Sequence, residues 1–335
     1  MRHHGKLNIF LTILSGIFII VILIGCSNSK GPSAENPSNM QSPALTSAPA
    51  QSPESTPDPL KKQDLVPVDE AHGGTQPSLP EKPSPPAAHE PGSEIMEQEK
   101  TNLPYYKEEN AERYDQYQAE NPDMTFERVV VYVNIGLDRE FYEGIRPAVN
   151  TGSLSVLVNK FSKLPDDFKP ELTKLSESLC VPGVGEQFLG KEAAEALWKM
   201  SEDAKREGLK ILAYGTYRSI STQNSIWNKA INSGRTQEDV DSLNARGGHS
   251  EHHTGLAVDV IRNNYSVADT PEYEWYKDKA HEYGFIIRYP EGKEHITGYK
   301  YEPWHLRYVG PEIAAAVYES GLSYEEYYVT NIDLP

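Results

Sequence analysis

Two histidines and one aspartate in the second half of the chain stand in settings that suit a metal ion. His252 and Asp259 lie in one run at 250–259, and His305 follows Glu302 by three residues. A catalytic zinc ion takes three protein ligands from His, Asp and Glu and keeps a fourth position for water. His252, Asp259 and His305 supply such a set, so the sequence predicts a zinc site.

The segment 255–261 predicts a half-buried strand that would present Asp259 to that metal. Because side chains alternate along a strand, Gly255, Ala257 and Asp259 share a face, and the two small residues would keep that face open. His252 would then lie in the loop leading into the strand.

Glu302 is the candidate catalytic base. On an ideal strand it would lie on the opposite face from His305, but Pro303 follows it directly and favours a position just before the strand. From that position the carboxylate could turn toward a metal-bound water and take its proton.

The combined pattern resembles that of a known peptidase family. Ser-x-His-x-x-Gly-x-Ala-x-Asp followed by Glu-x-x-His resembles the VanY-type D-alanyl-D-alanine carboxypeptidases, zinc peptidases grouped with lysostaphin-like enzymes and the Hedgehog fold. The resemblance covers roughly 134–309 and extends to the segment 217–219 with Gln223, and more loosely to 157–160 and 164–165. A chance match at so many fixed spacings is improbable.

The resemblance implies a role for each matching position. These roles are zinc ligands at His252, Asp259 and His305, catalysis by Glu302 and Arg218, and substrate binding by Arg218, Ser219, Gln223 and Ser250. Each histidine taken alone would more often be a buried residue with a hydrogen-bonded ring than a metal ligand, and Arg218 could simply pair with a carboxylate. Taken together with the two acids, they favour one Zn²⁺ per chain as the cofactor.

The activity that the resemblance implies is that of a zinc-dependent D,D-carboxypeptidase, which removes the terminal D-alanine from peptidoglycan stem peptides. An L,D-carboxypeptidase or an endopeptidase acting on the same stems would use the same metal but cleave a different peptide bond. The sequence leaves these alternatives open. A wall-peptide-binding module without activity is a further alternative. Glu302 argues against it, because a binding module has no need of a base beside the metal.

The elements around these residues predict an α+β fold. Short helices and strands interleave without regular βαβ spacing, which favours a small mixed or antiparallel sheet with flanking helices. The resemblance implies a Hedgehog or D-Ala-D-Ala-peptidase-like version of it. Helices are predicted over 105–120, 125–132, 192–207, 221–232, from 236, over 270–284 and over 312–320, and strands over 156–158, 209–216, 255–261, 285–289 and 304–309.

The first 26 residues have the pattern of an exported leader. Arg2 and Lys6 precede an apolar stretch at 9–24, and Gly25 stands directly before Cys26. This arrangement resembles the lipobox of bacterial lipoproteins, which implies acylation of Cys26 and anchoring to the extracytoplasmic face of the bacterial membrane. An uncleaved transmembrane anchor is the alternative.

Composition predicts how the rest is organised. Of the 25 prolines, 14 lie between residues 31 and 91, which is typical of a disordered tether. We therefore expect a lipoprotein signal peptide at 1–25, a tether at 26–99, a helical extension at 103–150 and a zinc peptidase domain at 151–335.

Charge and cysteine content limit which partners and which disulfides can be expected. The chain has 32 Lys and Arg against 49 Asp and Glu, a net charge of -17, so nucleic acid is a poor partner. With only 2 cysteines, no disulfide framework is expected. The expected partners are peptidoglycan stem peptides and the membrane, and the expected state is a monomer.

Overall fold

A four-stranded sheet carries the residues that the sequence singled out. Its strands are β5 (Ala213–Gly215), β6 (Ala257–Val260), β7 (Phe285–Ile287) and β8 (His305–Tyr308). The spatial order is β5-β6-β8-β7, and every neighbouring pair is antiparallel. The central strands β6 and β8 are buried along their whole length, so they form the floor of the core.

The computed structural model describes residues 102–335, and the predicted leader, Cys26 and the tether lie outside them. In that part of the chain no helix combines the length and the apolar character needed to cross a membrane. The helices are α1 (Ala111–Glu120), α2 (Phe126–Ile135), α3 (Lys191–Arg206), α4 (Ile220–Asn232), α5 (Gln237–Asp241), α6 (Pro271–Lys279), α7 (Glu294–Thr297), α8 (Pro311–Ser320) and α9 (Tyr324–Asn331). The remaining strands are the two-residue pieces β1 (Arg146–Pro147), β2 (Ser162–Lys163), β3 (Thr173–Lys174) and β4 (Phe188–Leu189), and single turns of 3-10 helix occur at Glu108–Asn110, Glu177–Leu179, Glu251–Thr254, Tyr265–Val267 and Ala280–Tyr283.

Capping residues fix where several helices begin. The side chains of Thr125 and Thr236 accept backbone N–H bonds at the starts of α2 and α5, and Thr270 does the same before the proline that opens α6. Each such bond satisfies a donor that the helix itself leaves free. Gly284 ends the 3-10 turn after α6 with φ 86°, a conformation that suits glycine. The predicted starts and stop at these positions are confirmed.

Two apolar cores surround the sheet. One lies between α3 and the sheet, where Leu197 and Met200 are fully buried with Val258 and Leu306. The other joins the two ends of the described chain, since α2 packs against α9 and both contribute buried apolar side chains such as Ile135 and Val329. The C-terminal helix is therefore part of the core.

The α+β fold class is confirmed, but several predicted elements differ in the structure. The strand predicted over 209–216 covers only Ala213–Gly215. The segment 156–158 is not a strand, because the Val156 carbonyl accepts a hydrogen bond from the Arg307 side chain instead of a strand neighbour. The strand predicted over 255–261 covers only Ala257–Val260 and is buried on both faces. The helix predicted to start at residue 105 starts at Ala111, after a turn of 3-10 helix.

Candidate metal centre

His252, Asp259 and His305 come together in the core as three buried side chains. Asp259 on β6 is paired in register with His305 on β8, and His252 comes from the 3-10 turn that leads into β6. Asp259 Oδ1 lies 3.1 Å from His305 Nδ1, and Asp259 Oδ2 lies 3.5 Å from His252 Nε2. One ligand atom from each residue lies within 4.8 Å of the others, a spacing that one metal ion can bridge.

The hydrogen bonds of His252 leave one ring nitrogen free for a metal. Its Nδ1 lies 2.8 Å from the Thr216 carbonyl oxygen, so Nδ1 carries the proton and donates it. Its Nε2 is buried and has no hydrogen-bond partner among residues 102–335. Burial and the neighbouring Arg218 lower the pKa of His252 to about 4, which keeps the ring in the neutral form that binds metals.

The other two ligands also suit a cation. Burial alone would raise the pKa of Asp259, but His252 and His305 hold it well below its usual value, so the carboxylate is ionised. Burial lowers the pKa of His305, but the neighbouring carboxylates of Asp259 and Glu251 outweigh this effect and raise the pKa to about 9. A bound cation would compete with a proton for the same ring nitrogen of His305. The donor set fits zinc.

Glu302 lies where a base should be. It precedes β8, as the proline after it predicted, and its Oε2 lies 3.8 Å from His305 Nδ1. Burial raises the pKa of Glu302 to about 8, although the charge of His305 lowers it. A carboxyl group with such a pKa can both take and give a proton near neutral pH.

Arg218 lies between the ligands and the open cleft. Its Nη2 is 3.7 Å from Asp259 Oδ2, and its Nη1 donates to Gln223 Oε1 at 3.1 Å. Gln223 in turn donates to the Ala245 carbonyl at 2.8 Å, which fixes the amide. Arg218 is thus held toward the cleft rather than free in solvent.

The cleft itself is small, about 40 Å³. Of the predicted substrate contacts, Arg218, Gln223 and Ser250 line it, whereas Ser219 serves as the N-cap of α4. The complete lining is Arg218, Gln223, Leu243, Asn244, Ala245, Ser250, Glu251, His252, Tyr289, Tyr299, Glu302 and His305.

The expected role of Gly255 is not seen. Gly255 lies before β6, and a Cβ there would meet Leu172 and Gly190 instead of the metal centre. The small residue beside the ligands is Gly215 on β5, where a Cβ would lie 3.0 Å from Asp259 Oδ2. The sequence did not single it out, because its pairing with Asp259 is a property of the sheet.

The sequence analysis missed six lining residues, which are Leu243, Asn244, Ala245, Glu251, Tyr289 and Tyr299. Tyr289 and Tyr299 gave no signal, since a tyrosine in a Tyr-rich chain is more often part of the core. Glu251 stands directly before His252, and a carboxylate inside a ligand motif is a signal that could have been used.

Three buried ligand side chains beside a buried glutamate and an arginine define a metallopeptidase, and comparisons identify its family. The sequence model of the VanY family, described as D-alanyl-D-alanine carboxypeptidase, matches residues 186–311. The putative carboxypeptidase YodJ of Bacillus subtilis (strain 168) is 36% identical over 200 residues, which are 56% of this chain and 71% of that protein. The chain therefore belongs to the VanY family of D-alanyl-D-alanine carboxypeptidases.

Two similar solved structures belong to enzymes with different activities. The LdcB LD-carboxypeptidase is 36% identical, with a TM-score of 0.50 over 56% of this chain and 90% of that one. A vancomycin resistance D,D-pentapeptidase VanY in complex with Zn(II) is 31% identical, with a TM-score of 0.45 over 52% of this chain and 97% of that one. The predicted enzyme class is confirmed at the level of the family. The donor set of His252, Asp259 and His305 fits the predicted zinc cofactor.

Proposed function

We propose that this chain is a zinc-dependent D,D-carboxypeptidase that removes the terminal D-alanine from peptidoglycan stem peptides. The observation that carries the proposal is the buried set of His252, Asp259 and His305 with Glu302 beside it. The family assignment supports the reaction class. We also propose that the fold of this chain belongs to the wider group that includes the Hedgehog fold. This part of the proposal rests on the sequence pattern alone.

The roles of the residues follow from their positions. His252 Nε2, one Asp259 oxygen and His305 Nδ1 would hold the ion. When bound, zinc would lower the pKa of a coordinated water far below that of bulk water, to about 7, and would polarise a carbonyl. Glu302 takes the proton of the attacking water and passes it to the departing amine, a transfer that its raised pKa suits.

Arg218 is the candidate for binding the substrate's charge. Its guanidinium faces the cleft and is about one quarter exposed, 26% for the side chain, so it can meet either a terminal carboxylate or the oxyanion. A free terminal carboxylate is what distinguishes a carboxypeptidase substrate.

An L,D-carboxypeptidase acting on tetrapeptide stems is the second candidate, because one of the similar structures is that of the LdcB LD-carboxypeptidase. The two activities differ in the configuration of the residue before the scissile bond. The test is to incubate the purified chain with pentapeptide and tetrapeptide stems and follow the products by mass spectrometry. Our proposal expects loss of one alanine from the pentapeptide, and loss from the tetrapeptide alone would replace it with the L,D activity.

We also propose that the enzyme works on the extracytoplasmic face of a bacterial membrane, anchored by a lipid at Cys26. The Gly25-Cys26 pair after an apolar stretch is the support for this location. Cys26→Ser is the matched change, since it removes the thiol and little else. In cells given a radioactive fatty acid, the wild type should be labelled and the variant should not, and equal labelling would refute the anchor.

A further inference from the structure

Four buried charges lie behind the metal centre and form one bonded group. Glu251, Glu325, Arg288 and Arg307 are all at most 1% exposed. Glu251 Oε1 accepts from Arg288 Nε at 2.7 Å and from Arg307 Nη1 at 2.8 Å. Both terminal nitrogens of Arg288 donate to the Glu325 carboxylate, at 2.8 and 2.6 Å. Two carboxylates thus balance two guanidiniums, which is the condition for burying charge.

One carboxylate oxygen of this group, Glu251 Oε2, bonds to neither arginine and faces the proposed metal ligand His305. Glu251 Oε2 lies 3.5 Å from His305 Nε2, and within the described part of the chain neither atom has a hydrogen-bond partner. His305 turns its other nitrogen, Nδ1, toward Asp259. If Nδ1 binds the metal, the ring proton is on Nε2, and Glu251 is the acceptor that faces it.

We propose that Glu251 is a positioning residue that orients His305 for metal binding, and that Glu325 on the C-terminal helix α9 holds Glu251 in place through Arg288. This inference rests on the proposed function, because it assumes that His305 is a zinc ligand. It makes α9 part of the metal centre, although the residues matched by the family model end at 311. Arg288 transmits the constraint, since Nε donates to Glu251 and the two terminal nitrogens donate to Glu325 along different edges of one rigid planar group.

The chain before the family-matched region holds the same group. Asn159 donates to Glu325 Oε1 at 3.2 Å, and its own Oδ1 accepts the backbone N–H groups of the following turn. Arg307 Nη2 donates to the carbonyl oxygens of Leu154 and Val156, at 2.9 and 2.7 Å. Asn159 belongs to the segment 157–160, which matches the family pattern only loosely. Its hydrogen bond to Glu325 gives a structural reason for that match.

The test measures the zinc dissociation constant of the full chain by competition with a chromogenic chelator. Glu251→Gln should weaken zinc binding by about 10–100-fold, and Glu325→Gln by about tenfold. Glu326→Gln is the matched control, because it makes the same chemical change at the next residue of α9, where the carboxylate caps the helix and pairs with Lys293. The control should bind zinc within about twofold of the wild type, although its thermal unfolding temperature falls.

A merely structural role would lower the unfolding temperature of the Glu325→Gln protein and leave its zinc dissociation constant unchanged, and that result would overturn the proposal. If that variant does not fold, hydrogen exchange on the wild type decides. Because coupling is reciprocal, zinc should slow amide exchange in α9, which carries Glu325, more than in α1, which packs against α2 and the preceding 3-10 turn. Equal effects on α9 and α1 would refute the relay.

The outcomes separate this inference from the proposed function. A wild-type chain that binds no zinc at all would remove both. A wild type that binds zinc and releases D-alanine, with Glu251→Gln and Glu325→Gln binding zinc equally well, would remove the positioning role alone.

Discussion

Asp259 and His305 face each other directly across the two central strands of the sheet, with Oδ1 3.1 Å from Nδ1. The same row continues to Gly215, whose position is paired with Asp259 on the other side. The metal centre is thus a product of strand register, because a shift of one residue would turn every side chain of β6 to the opposite face.

Glu302→Gln should separate metal binding from catalysis. The amide keeps the size of the side chain but cannot take a proton, so kcat should fall by about 10²–10⁴-fold while zinc content stays at the wild-type level. His252→Ala removes a ligand and should reduce the zinc content itself. Metal analysis of the purified variants and a stem-peptide assay give both numbers. A fully active Glu302→Gln protein, or one that has lost its zinc, would contradict the division of roles.

Arg218→Ala should reveal which end of the substrate is bound. If the guanidinium holds a free terminal carboxylate, an amidated stem peptide loses a charge-assisted contact of about 1.5–3 kcal/mol, roughly 10–100-fold in kcat/KM. The wild type should therefore prefer the free acid, and Arg218→Ala should lose that preference. Arg206→Ala is the control, because this side chain lies on α3 and is 76% exposed. Equal rates of the wild type on both peptides would favour an endopeptidase.

Gly284→Ala should destabilise the fold more than Gly234→Ala. Both glycines have positive φ, 86° and 89°, so each substitution costs roughly 1–2 kcal/mol of backbone strain. At Gly284 a Cβ would also lie 2.7 Å from Tyr308 Cε2 and 3.0 Å from the Gly310 carbonyl carbon, whereas at Gly234 nothing lies within 4 Å. The added crowding should cost about 1–3 kcal/mol more. Chemical denaturation of the two variants measures the difference, and equal losses would contradict the packing described at Gly284.

Local signals made part of this structure predictable. Thr125, Thr236 and Gly284 act through hydrogen bonds or backbone angles within a few residues, so the sequence alone places the helix ends. Glu302 could be placed before its strand because the proline that follows is a local constraint. The predicted substrate contact Ser219, in contrast, is an N-cap, and the sequence pattern fits both roles.

Features that depend on tertiary contacts were missed. The helix α9 begins with a capping box at Ser323 and Glu326, but its buried face includes the charged Glu325, which a hydrophobic pattern cannot reveal. The segment 156–158 is apolar, as a strand would be. The carbonyl oxygen of Val156 nevertheless accepts a hydrogen bond from the buried Arg307 side chain instead of from a neighbouring strand. In both places a buried ionic group decides the structure, and the sequence shows only its separate members.

The most direct test of the account is to remove the zinc from the purified chain with a chelator and add it back in measured steps. The release of D-alanine from a pentapeptide stem should vanish in the metal-free protein and rise in proportion to added zinc until one equivalent per chain is bound. The His305→Ala protein should show no such recovery at the same zinc concentrations, because one of its ligands is missing. Full activity of the metal-free wild type, or full recovery of His305→Ala, would contradict a catalytic zinc held by His252, Asp259 and His305.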